Sequence, residues 1–95
     1  MSQAVTISIR LFAQTAQVAA ATNVVLQLEP NNEGLEPELV GVTVQQIADE
    51  LCRHYPQMSE LIRRSRWAID NEFVGPEHFV LSGTCLAIIP PVSGG

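Results

Sequence analysis

Ninety-five residues make one domain, and a chain of that length buries about two thirds of its unfolded surface, enough for one modest core but not for a deep enclosed active site. Ten Asp and Glu against five Lys and Arg leave a net charge of −5, which argues against a nucleic-acid partner, where phosphate contacts dominate affinity. No apolar run approaches the ~20 residues of a membrane span, no basic-then-apolar leader is visible, and Cys52 and Cys85 have neither disulfide-framework nor zinc spacing, so a cytoplasmic protein away from membranes is expected.

Val5, Ile7, Ile9 and Leu11 alternate with Thr6, Ser8, Arg10 and Phe12, the period-two pattern of a half-buried strand. A connection of small residues from Ala13 to Thr22 leads to Val24, Leu26 and Leu28, a second alternating run, and the pair reads as an antiparallel hairpin. Residues 30 to 41 hold Pro30, Asn31, Asn32, Gly34, Pro37 and Gly41 with Glu33, Glu36 and Glu38, which is a polar, breaker-rich surface loop. Thr43 and Gln46 then have capping-box spacing, and Val42 and Ile47 have the spacing of a hydrophobic staple. Val44, Ile47, Ala48, Leu51, Cys52 and Tyr55 form an apolar stripe at helical period until Pro56 stops it. Met58, Leu61 and Ile62 predict a further helical turn. Trp67 and Ile69, then Phe73 and Val74, read as strands broken at Asp70-Asn71-Glu72. Phe79 and Leu81 suggest a short strand, and Thr84 to Ile89 a last one after Gly83.

This order predicts an α+β domain, a mixed four- to five-stranded sheet packed on one main helix, with the first and last strands as central parallel neighbours. That is the ubiquitin-like β-grasp arrangement, over residues 1–89, followed by an extended flexible tail, 90–95.

The body offers little chemistry. His54 falls in the last helical turn, where a cation suits the helix dipole, and His78 falls in a loop; neither has metal-ligand spacing. Cys52 lies on the apolar stripe and Cys85 in the last strand, where thiols usually pack as small hydrophobes. Arg63, Arg64 and Arg66 read as a solvated helix end, and the acidic body as suited to basic partners, charge complementarity mainly raising on-rates. The tail differs. Pro90 and Pro91 stop the last strand and favour an extended, stiff geometry. From Pro90 the chain reaches about 20 Å at ~3.3 Å per residue. Gly94 and Gly95 lack side chains, so the end fits a narrow channel and presents an open carboxylate.

Ile9-Arg10-Leu11-Phe12-Ala13, the helix from Val42 to Tyr55, and Ala87-Ile88-Ile89-Pro90-Pro91-Val92-Ser93-Gly94-Gly95 resemble the small, sulfur-carrier subunits of molybdopterin synthase. The resemblance implies a sulfur-donating subunit that is not itself the catalyst, catalytic residues lying on the large subunit. An E1-like enzyme uses ATP to adenylate Gly95, sulfur transfer makes a thiocarboxylate, and the tail, with Gly94 permitting insertion, enters the large subunit to sulfurate a cyclic pyranopterin precursor. It further implies a heterotetramer of two small and two large subunits, no cofactor bound by the isolated chain, and a partner interface at Phe12, Phe73, Ile89, Pro90, Pro91, Val92 and Ser93. Carriers of the same build serve thiamine synthesis, tungsten cofactor or tRNA thiolation, and protein modifiers share the Gly-Gly end. Two features depart from the family pattern: Ser82-Gly83-Thr84-Cys85 keeps the turn glycine without the usual acidic neighbours, and the loop from Pro30 to Gly41 is longer.

Overall fold

A computed structural model describes residues 4–31 and 40–91 of the chain. In β1 (Val5–Leu11) the alternation is realised: Val5, Ile7, Ile9 and Leu11 are buried, and Thr6, Ser8 and Arg10 face the opposite side. β2 (Asn23–Leu28) returns antiparallel to it, with Val5 opposite Leu28 and Arg10 opposite Asn23.

The segment joining these strands is not the plain connection expected from its small residues. Ala13–Ala19 form a helix, α1, which suits a stretch rich in alanine, the strongest helix former. It has no polar side chain at its N-cap. Instead the buried Thr15 hydroxyl accepts the Phe12 N–H at 3.0 Å and donates to the Phe12 carbonyl at 2.7 Å. A seven-residue helix is marginal in isolation and is held by tertiary contacts, which is why local pattern alone misses it.

β3 (Gly41–Thr43) leads directly into α2 (Val44–His54). The capping box forms as its spacing predicts: the Gln46 N–H donates to Thr43 Oγ1 at 3.2 Å, and the Thr43 N–H to Gln46 Oε1 at 2.9 Å. Val44, Ile47 and Leu51 are buried, while Ala48, Cys52 and Tyr55 are only partly covered, so the buried stripe is narrower than expected and Cys52 sits at its rim. A 3-10 turn (Pro56–Met58) and α3 (Ser59–Arg64) follow, anchored by Met58 and Ile62.

β4 (Arg66–Ile69) and β5 (Glu72–Val74) form a hairpin in which Asp70 and Asn71 lie at φ +51° and +69°. Those left-handed angles at both central positions match the tight turn that follows the twist of the strands, and Asn and Asp adopt them most readily. β6 (Phe79–Leu81) stays out of the main sheet and pairs with β3, Val80 opposite Val42, as a separate two-stranded sheet. Sequence pattern places β6 but not β3, whose three residues read as the end of a loop and the start of a helix.

β7 (Cys85–Ile89) completes the main sheet, parallel to β1 and antiparallel to β4. The strand order is β2-β1-β7-β4-β5, so the first and last strands are adjacent at its centre. Side chains of β1, β7, α2 and the α3 region share one core, which includes Ile9, Leu86, Ile88, Ile47, Leu51 and Trp67. This mixed five-stranded sheet with its main helix on one face is the expected ubiquitin-like β-grasp. No helix among the described residues is long and apolar enough to cross a membrane.

Candidate functional site: the root of the tail and the outer sheet face

β7 is the element that aims the C-terminus. Leu86 and Ile88 point into the core, in register with Ile9 and Leu11 of β1, and Ile88 also lies opposite Trp67 of β4. Strand alternation then sends Cys85, Ala87 and Ile89 to the outer face. Cys85 is exposed, not packed as a small hydrophobe, and Ile89 is half-buried. Gly83, in the turn before this strand, lies at φ +93°, and its N–H donates to the Thr6 carbonyl at 2.7 Å, tying the turn to β1.

Register carries the outer face across the sheet. Ala87 lies opposite Ala68, Ala68 opposite Phe73, and Ile89 opposite Arg66. Phe73 is 56% exposed, with the Arg66 guanidinium carbon 3.8 Å from its ring centroid. That distance is within the range of a stacking cation–π contact. Phe12 follows the last residue of β1, as Ile89 follows Ile88, the partner of Leu11 in the parallel pairing. It is 41% exposed, with Arg10 5.8 Å from its centroid. Phe73 and Ile89 therefore share one face of the sheet, and Phe12 stands beside its β1–β7 end.

Pro90 and Pro91 continue from β7 and are half-buried. Val92, Ser93, Gly94 and Gly95 lie outside the described residues.

Elsewhere the side chains support structure. His54 Nε2 lies 3.1 Å from Glu50 Oε2, one helical turn away, on an exposed surface. The His78 carbonyl accepts the Val44 N–H at 3.0 Å, helping to satisfy the first turn of α2. Both cysteines are free thiols, and no group of His, Cys, Asp and Glu suited to a metal ion occurs among the described residues. Arg63 and Arg64 end α3 as expected, but Arg66 opens β4 beside the tail's root, a neighbour the sequence pattern did not reveal. Finding it requires knowing that β4 pairs with β7.

A family model described as the ThiS family matches residues 9–95. The chain belongs to the ThiS family. That family is one of ubiquitin-like sulfur carriers, and the solved structures the chain resembles agree in fold. SAMP1 from Haloferax volcanii superposes with a TM-score of 0.72 at 23% identity, covering 95% of this chain and 99% of that one. A putative molybdopterin converting factor subunit 1 from Pyrococcus furiosus matches with a TM-score of 0.72 at 17% identity, over 93% of this chain and 99% of that one. A chain from the complex of subunits 1 and 2 of the molybdopterin-converting factor from Helicobacter pylori gives 0.58 at 13% identity, over 95% and 99%. At these identities the likeness is one of fold. The ThiS-family chain thus places its last strand at the centre of its sheet, with a proline-led end leaving beside a partly apolar outer face.

Proposed function

We propose that this protein is the sulfur-carrier small subunit of a molybdopterin synthase, working in the cytoplasm through its C-terminal Gly95. The observation that carries the reading is the run Pro90-Pro91-Val92-Ser93-Gly94-Gly95 issuing from the central strand β7 of a ThiS-family β-grasp body. The helix and sheet then act as a grip, and the reacting atom is the terminal carboxyl.

The chemistry is one of activation and exchange. A Gly95 carboxylate oxygen attacks the α-phosphate of ATP on an E1-like enzyme, pyrophosphate leaves, and an acyl-adenylate forms. A hydrosulfide-equivalent donor then adds to the acyl carbon and AMP departs, leaving a thiocarboxylate. Adenylation supplies the leaving group that a free carboxylate lacks, and the carrier supplies positioning. The tail, whose side-chain-free end clears a narrow channel, delivers that sulfur to a cyclic pyranopterin precursor in a large subunit. Phe12, Phe73, Ile89 and the residues 90–93 form the docking face in a complex of two small and two large subunits. The fold match to a chain from a complex of subunits 1 and 2 of a molybdopterin-converting factor supports a large-subunit partner.

The test is intact mass after incubation with ATP, an E1-like enzyme and a sulfur donor. Exchange of one oxygen for one sulfur at the C-terminus is expected, and deletion of Gly95 removes it along with precursor conversion. Higher-mass conjugates to lysines of other proteins would make the chain a modifier instead. Precursor conversion that survives loss of Gly95 would overturn the proposal.

A further inference from the structure

Four of the chain's five positive side chains, Arg53, Arg63, Arg64 and Arg66, come from α2, α3 and the start of β4, although the molecule as a whole is acidic. Three of them, Arg53, Arg63 and Arg66, line an open groove of about 680 Å3 between α2, the end of α3 and β4–β5, together with Cys52, Trp67 and Phe73. One carboxylate, Asp49, also lines it, accepting from Gln45 Nε2 at 2.9 Å. Arg66 stacks on the Phe73 ring with its edge donors still available to a partner, and two of the others are weakly committed within the fold. Arg53 reaches Glu50 at 3.5 Å and Arg63 reaches Glu60 at 3.9 Å, with both guanidinium-bearing chains largely in solvent. Exposed pairs of that kind contribute little and exchange readily for a better acceptor.

The groove's place relative to the tail decides what fills it. Ile89 lies opposite Arg66 in an antiparallel pairing, so Pro90 and Pro91 leave the sheet on the side of Ser65 and Arg64. A macromolecule that holds the end of the tail is thereby brought to this corner. The free phosphates of a nucleotide reacting at Gly95 would lie a tail's length from it. We propose that the Arg63–Arg66 corner and its groove are a second docking site, which receives an acidic protein segment of the enzyme that activates Gly95. Asp or Glu side chains of that segment pair with Arg63 and Arg66, and an apolar side chain enters between Cys52 and Trp67. Guanidinium groups suit this because their planar donors take a carboxylate bidentately. The site rests on the reading of Gly95 as the activated group and adds the surface by which its activator is chosen.

Steady-state adenylation, followed as ATP–pyrophosphate exchange with the E1-like enzyme, tests it on the full chain. In the double variant R63Q/R66Q, KM for the carrier should rise about tenfold while kcat at saturation holds, because the lost contacts are remote from the reacting carboxyl. The dependence of KM on salt should flatten in the same variant. N23D/Q27E is the matched control: it lowers net charge by the same two units on β2, the opposite edge of the sheet. Its KM should change less than about twofold. Fluorescence of Trp67, the chain's single tryptophan, reports that each variant is folded. An equal rise in both variants would reduce the effect to overall charge, and an unchanged KM in R63Q/R66Q would remove the site. A wild-type chain that supports no exchange would instead remove the reading of Gly95 beneath it.

Discussion

Ile88 and Ile89 are neighbours of identical composition on opposite faces of β7, and truncating each should have different consequences. Ile88 is fully buried, between Leu11 of β1 and Trp67 of β4. Ile88→Ala removes three carbons from a packed site, a transfer loss of about 2.4 kcal/mol at ~0.8 kcal/mol per methylene. A cavity in a central strand flanked on both sides relaxes incompletely and adds about 1 kcal/mol, for a total near 3.5 kcal/mol. Ile89 is half-buried on the outer face, so Ile89→Ala should cost about 1 kcal/mol. With a urea m-value of about 1.2 kcal/mol/M, the midpoints should fall by about 3 M and under 1 M respectively. Trp67 fluorescence is a direct assay, since its ring lies in the core opposite Ile88. If the two midpoints fell within about 0.5 M of each other, the parity that assigns these faces would be wrong, and with it the placing of Ile89 on a docking face.

Thr43→Ala removes the hydroxyl that accepts the Gln46 N–H, and should lower stability by about 1 kcal/mol, or roughly 5 °C in Tm by calorimetry. Gly83→Ala meets no atom within 4 Å of its new Cβ, but the residue sits at φ +93°. The cost should therefore come from the backbone alone, about 1–2 kcal/mol, with Gly83→Asn milder than Gly83→Ala in the same melt because Asn tolerates positive φ better. An alanine variant as stable as wild type would show that the turn relaxes to another conformation.

Where a residue's own neighbours determine its state, the fold was legible in the sequence. The alternation of β1 and the box at Thr43 and Gln46 are local patterns, and both formed as read. α1 was hidden because its N-terminus is secured by Thr15 bonding back to the Phe12 backbone, not by a polar N-cap. β3 was hidden because three residues cannot show a period and gain their identity only from β6. At the candidate site, the outward parity of Ile89 followed from the alternation of β7. The nearness of Arg66 to the tail's root did not, since pairing between strands about twenty residues apart in sequence leaves no local mark. Cys52 lies at the rim of the core and Cys85 outside it, because a thiol's burial depends on which neighbours cover it and not on its spacing alone.

The pairing of Ile89 with Arg66 also bears on the lifetime of an activated terminus. On the proposed reading, the chain carries an acyl electrophile on a short tether, where groups on its own surface compete at millimolar effective concentration. A primary amine at this corner would form an internal amide and permanently disable the carrier. The charged side chains beside the root are instead guanidiniums, protonated at neutral pH and without a free nucleophilic lone pair. The hydroxyl between them is also engaged, Ser65 Oγ donating to the Leu61 carbonyl at 2.7 Å. Positive charge is thus placed at the root of the tether without adding an amine that could capture the activated acyl group, a distinction between arginine and lysine that net charge alone does not express.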